Sequence, residues 1–168
     1  TAANSSFLTD GAAATLIMTE DKALELNLRP KSRVIDFAFT GQSLDDELLL
    51  GPAYAIPKVL QKTGLTLDDI DVFELHEAFA GQVLAVLKAL ESDAFATEKL
   101  GLKQMLGKIP MEKINTQGGS LSIGHPFGAT GARLVTMASN KMLKQKSNYA
   151  FIAACAAGAH GHAMILER

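Results

Sequence analysis

The chain has 168 residues, 48% of them hydrophobic and 20% charged, with a formal net charge of −2. That length and apolar content fit one domain with a real core and exclude a disordered chain. Near-neutral charge without a basic run argues against nucleic acid as the partner, and no apolar stretch approaches a membrane span. Cys155 is the only cysteine, so no internal disulfide framework exists and a reducing compartment is expected. Thr1 is not an initiator methionine and no signal peptide is visible, so the chain reads as a piece of something longer.

Thr9-Asp10-Gly11 is a turn signal, and the apolar run Ala12 to Met18 has the length of a strand. Asp21 to Leu28 reads as a short helix stopped before Arg29-Pro30. Val34 to Phe39, β-branched and aromatic, predicts a strand. Gly51-Pro52 opens a helix that runs to Gly64, with Pro57 inside it. Asp71 to Leu75 predicts a third strand. Phe79, Val83, Val86, Leu87 and Leu90 recur at helical spacing after it. Ser92 to Lys113 is weakly patterned and reads as an insertion or lid. A glycine-rich segment and a helix to about Lys146 follow. Tyr149 to Cys155 is wholly apolar, as a strand buried on both faces would be. A tight turn over Ala156 to Gly161 leads to a last strand, His162 to Leu166, running back. The expectation is one layered α/β domain over residues 1–168, of the order βαβαβαββ, with a mixed five-stranded sheet.

The segment Gly118-Gly119-Ser120-Leu121-Ser122-Ile123-Gly124-His125-Pro126-Phe127-Gly128-Ala129-Thr130-Gly131 carries most information. Its glycines let the backbone approach a ligand closely. Its one histidine, His125, is fixed between Gly124 and Pro126 at a helix entrance. His76 sits where the third strand passes into a helix, and Cys155 ends a strand before small residues. Strand ends and helix starts are where open α/β sheets bind ligands, so three proton-transfer groups fall at three such ends. A cysteine near a histidine and a helix N-terminus can have a lowered pKa and act as base or nucleophile, although a lone buried cysteine is usually inert. His160 and His162 share a strand spacing, but further metal ligands are not evident. The spacing Gly119 to Gly124 is that of a P-loop, yet His125-Pro126 stands where the phosphate lysine would be, and no dinucleotide-binding glycine pattern follows a strand.

Taken together these segments resemble the C-terminal half of a thiolase. Asn4 to Ala14 looks like the family's segment leading into its first C-terminal strand. His76-Glu77-Ala78-Phe79-Ala80 resembles the N-E-A-F-A motif, Asn115 to Gly131 the long glycine motif around G-H-P, and Cys155 to Gly161 the C-x-G-G-G-x-G turn. The motifs occur in family order over nearly the whole chain. His76 stands in place of asparagine, and two motif glycines are replaced, one at Ala156 or Ala157 and one beside His160. A histidine there is similar to the long-chain 3-ketoacyl-CoA thiolases, including the β-subunit type of the trifunctional fatty-acid oxidation complex.

The resemblance implies a thiolase-like fold and roles residue by residue. His125 would activate a nucleophilic cysteine and donate to the thioester oxygen. Cys155 would shuttle a proton to and from the acyl-CoA. His76 would orient an oxyanion-hole water or donate directly. The Ala157 N–H would serve a second oxyanion hole, and Ser6 would lie near the pantetheine arm of CoA. The acyl-accepting cysteine would lie outside this chain. CoA and acyl-CoA are implied as substrates, with no metal and no organic cofactor. A homodimer or tetramer, a hydratase/dehydrogenase α-subunit as partner, and the bacterial cytoplasm or mitochondrial matrix are implied as setting. An acetoacetyl-CoA thiolase or related condensing enzyme and a non-enzymatic docking module are the competing readings.

Overall fold

The computed structural model describes residues 1–45 and 47–168. Six α-helices and four strands are found among them: α1 Glu20–Glu25, β1 Arg33–Gly41, α2 Gly51–Thr63, β2 Val72–Leu75, α3 Ala80–Leu90, α4 Asp93–Leu100, α5 Ser120–Ile123, α6 Thr130–Gln145, β3 Tyr149–Ala156 and β4 His160–Glu167. The strands form one mixed sheet in the order β1-β4-β3-β2. β2 pairs parallel with β3, while β4 runs antiparallel to both β3 and β1. No helix among the described residues is long and apolar enough to cross a membrane.

Alternation along the strands divides the core into two layers. Phe73, Leu75, Phe151, Ala153 and Ile165 pack on one face with Ile56, Val59 and Leu60 of α2 and with Val83, Val86 and Leu90 of α3. Val72, Ala150, Ile152 and Leu166 pack on the other with Leu134, Ala138 and Met142 of α6. Helices thus cover both faces, which explains why β3 reads as a continuous apolar run.

The expected sheet of five strands is corrected to four. Ala12 to Met18 forms no strand, and Leu16 and Ile17 are 79% and 77% exposed. An apolar run becomes a strand only where a sheet edge takes up its N–H and C=O groups, and no edge among the described residues reaches this one. At the far side of the sheet Ile114 makes a single parallel bridge to Phe73, too short to count as a strand.

Ser92 to Lys113 is also more than a lid. It carries α4, started by the Ser92 side chain, which accepts from Phe95 N at 3.2 Å. Ala96 and Ile109 are buried, Phe95 packs edge-on to Tyr54 of α2, and Leu106 N donates to Leu90 O at 3.0 Å. The segment is built into the α2/α3 layer.

Candidate active site

Two loops at one end of the sheet build the site. At the first, β2 is still held to β3 where His76 N donates to Ala153 O at 2.8 Å. The Asn115 side chain then continues the sheet: its Oδ1 accepts from Leu75 N and its Nδ2 donates to Leu75 O, both at 2.8 Å. The same Nδ2 donates to the Glu77 carboxylate, which also accepts from Leu121 N at 3.0 Å in the first turn of α5. Glu77 therefore ties the β2 loop to the glycine-rich segment. A Cβ at Gly119 would overlap that carboxylate, which is the physical demand for glycine there.

At the second loop the chain leaves α5 through Gly124, whose φ of +90° favours glycine. The Thr9 side chain occupies the space that a Cβ on Gly124 would need. His125 N donates to Phe7 O at 3.0 Å, and Ser6 N donates to Ala78 O at 2.9 Å. The segment around Ser6 to Thr9 therefore bridges both loops. Arg133, one turn into α6, donates through Nη1 to Gly124 O at 2.8 Å.

These constraints bring His76 and His125 together, with ring centroids 4.1 Å apart and planes tilted by 41°. His76 is buried, and its Nδ1 lies 2.9 Å from Ser120 Oγ. His125 Nδ1 lies 2.7 Å from Thr130 Oγ1, and its ring centroid lies 4.8 Å from that of Phe127. Burial, then His125 and Arg133, push the His76 pKa down to about 4. Burial and Arg133 lower that of His125 as well. Both rings are held towards the neutral form, in which one nitrogen can accept a proton and the other can donate one.

Cys155 lies two residues beyond Ala153 on β3, at the same sheet end as His76. Its thiol makes no hydrogen bond to either imidazole among the described residues, and burial raises its pKa to about 11. The lowered pKa expected from sequence is therefore reversed, because β3 places the sulfur in the core and not at a helix terminus. Burial thus favours the protonated thiol at Cys155. Ala157 is exposed in the turn after β3, where Gly158 and Ala159 have φ of +87° and +58°. Ser6 is half-buried. His160 is exposed, His162 packs edge-on to Phe39 at 4.7 Å, and no metal-holding group of three His, Cys, Asp or Glu occurs among the described residues.

The structure adds supports to which the sequence reading gave no role: Glu77, Asn115, Ser120, Thr130 and Arg133. All lie in or next to the quoted motifs, and the acid directly after His76 was the one available signal. Beneath them Glu74 of β2 and Lys141 of α6 form an ion pair with side chains 0% and 1% exposed. Burial raises the Glu74 pKa in spite of that partner, and its Oε2 makes no hydrogen bond.

The family model described as the thiolase C-terminal domain matches residues 28–168. Among curated proteins, the mitochondrial trifunctional enzyme subunit beta of Bos taurus is 60% identical over 167 residues, covering 99% of this chain and 35% of that protein. A probable 3-ketoacyl-CoA thiolase of Caenorhabditis elegans is 57% identical over 99% of this chain and 37% of its own length. The crystal structure of human mitochondrial 3-ketoacyl-CoA thiolase in complex with CoA superposes with a TM-score of 0.81 at 30% identity, covering 99% of this chain and 38% of that one. The Bacillus anthracis acetyl-CoA acetyltransferase superposes with a TM-score of 0.84 at 34% identity, again over 99% and 38%. The chain thus spans little more than a third of the length of these relatives. Four motifs in order, an α/β fold shared with solved thiolases and a family match over residues 28–168 make one conclusion: the chain belongs to the thiolase family and carries its C-terminal domain.

Proposed function

We propose that the chain, over its whole length 1–168, is the C-terminal part of a 3-ketoacyl-CoA thiolase. The intact protein would cleave 3-ketoacyl-CoA with CoA into acetyl-CoA and a shortened acyl-CoA. The observation that carries this reading is the pair of neutral imidazoles, His76 and His125, 4.1 Å apart at the sheet end that also bears Cys155.

In this reading His125 takes the proton of a nucleophilic cysteine supplied by the rest of the longer protein. Thr130 Oγ1 has its own acceptor in Pro126 O at 3.2 Å, so it can accept from His125 Nδ1–H and leave Nε2 as the base. The thiolate attacks the 3-keto carbon, and the bond between C2 and C3 breaks towards C2. Protonated Cys155 gives its proton to that carbon, releasing acetyl-CoA. The resulting thiolate then takes the proton of incoming CoA, which attacks the acyl-enzyme and frees the first cysteine. A thiol with a pKa near 11 is a weak acid suited to a carbanion and is restored by CoA. His76, and the N–H of Ala157 in a second position, would donate to the oxyanions formed on the way. Ser6, held beside Ala78, would line the approach of the pantetheine arm. The bookkeeping closes with CoA alone and calls on no metal or organic cofactor.

The 60% identity to a subunit named for a trifunctional mitochondrial enzyme supports a hydratase/dehydrogenase α-subunit as partner and the mitochondrial matrix as compartment. A homodimer or higher oligomer belongs to the same reading. The test is an assay of the full-length protein. CoA-dependent release of acetyl-CoA from a long-chain 3-ketoacyl-CoA is expected. Malonyl-dependent condensation without that cleavage would favour a condensing enzyme, and neither reaction would favour a docking module.

A further inference from the structure

The His76 and His125 rings lie 4.1 Å apart, and the position of the proton on each ring decides whether it donates to the site or accepts from it. We infer that Arg133 and Ser120 form a relay that fixes His76 as the tautomer protonated on Nε2, so that it is a hydrogen-bond donor to the site. The inference rests on the proposed role of His76 as an oxyanion donor and assigns Ser120 and Arg133 as positioning residues.

The donors and acceptors around Ser120 leave one arrangement of protons. Arg133 is a donor only, and its Nη2 gives a hydrogen bond to Ser120 Oγ at 2.9 Å. Its Nη1 bond to Gly124 O holds the guanidinium in that orientation. The Ser120 side chain is fully buried, so its own hydroxyl proton must find an acceptor inside the protein. Among the described residues Oγ has two side-chain partners, Arg133 and His76 Nδ1 at 2.9 Å. Arginine cannot accept, so the proton goes to Nδ1. Nδ1 then has no hydrogen, and the one ring proton of a neutral imidazole sits on Nε2. His125 lacks this constraint, because the Thr130 hydroxyl has a backbone acceptor in Pro126 O. The positive charge of Arg133, behind the serine, also opposes a second proton on His76. Burial lowers the Arg133 pKa, and the nearby carboxylates of Glu74 and Glu77 partly oppose that shift.

The test uses the full-length enzyme with 15N-labelled histidine. The His76 resonances are assigned by their loss in His76→Asn. In the wild type an unprotonated Nδ1 and a protonated Nε2 are expected at neutral pH, and a protonated Nδ1 would overturn the relay. In Ser120→Ala a Nδ1-protonated population should appear, with kcat lowered about tenfold and KM nearly unchanged. In a His76→Asn background the same substitution should cost nothing further. An equal loss in both backgrounds would show that Ser120 does not act through His76. If His76→Asn alone left kcat unchanged, the donor role of His76 would fail, while the spectrum would still decide the tautomer.

Discussion

Lys141 and Glu74 meet out of solvent directly below the strand end that carries His76. A buried pair is costly to form and costlier to break, because removing one partner strands a charge. Lys141→Met should therefore destabilise the protein by about 3–5 kcal/mol. The double variant Lys141→Met, Glu74→Leu should recover most of that loss. Denaturant midpoints of the two variants check this, and equal loss in both would show that packing, not charge, sets the cost.

The His76 pKa of about 4 lies below the ordinary value of 6.5 because burial disfavours the charged ring. As pH falls, the unfolded chain takes up this proton first. The stability that His76 contributes is complete above pH 6.5 and is lost as pH falls from 6.5 towards 4. The span amounts to roughly 3 kcal/mol. His76→Asn should show a shallower fall in Tm over that window than the wild type. Parallel curves would mean that His76 is not the buried neutral group.

Gly124 combines a positive φ with a neighbour, Thr9, in the place of a Cβ. Gly124→Ala should cost about 2 kcal/mol or more and should loosen the segment around Ser6 to Thr9 from His125. Hydrogen exchange at His125 N, which donates to Phe7 O, reads that loosening directly. Unchanged protection would contradict the bridging role of the segment.

Ile109 is 2% exposed although it lies in an irregular stretch. Ile109→Ala should cost about 2–5 kcal/mol, as for other core truncations. A loss within about 0.5 kcal/mol, the range of surface sites, would return Ser92 to Lys113 to a lid.

What was legible in the sequence follows from where the signal is local. The helix α2 announces itself by Gly51-Pro52 at its start and by Gly64, which is left-handed at its end. β3 is apolar on both faces because helices lie on both sides. Ala12 to Met18 has the same local signal as a strand, but the decision depends on an edge elsewhere, and none among the described residues meets it. Ser92 to Lys113 looks weak because α4 buries only Ala96, while Ile109 buries from outside any helix. In the site, His76 and His125 stand out through their motif neighbours. Ser120 and Arg133 do not, since a serine in a glycine loop and an arginine on a helix acquire meaning only through contact with His76 and Gly124. The charge state of Cys155 was hidden for the same reason: it depends on depth in the core, not on the residues beside it.

The proposed thiolase chemistry depends most on His125 acting as the base. The most direct measurement is kcat for CoA-dependent cleavage of a 3-ketoacyl-CoA by full-length wild type and His125→Ala, with folding of the variant confirmed by its Tm. Loss of both the base and a thioester-oxygen donor predicts a fall of about 10²-fold or more. A folded variant that retains turnover within about tenfold of wild type would contradict the account, because a general base alone contributes at least about 10²-fold.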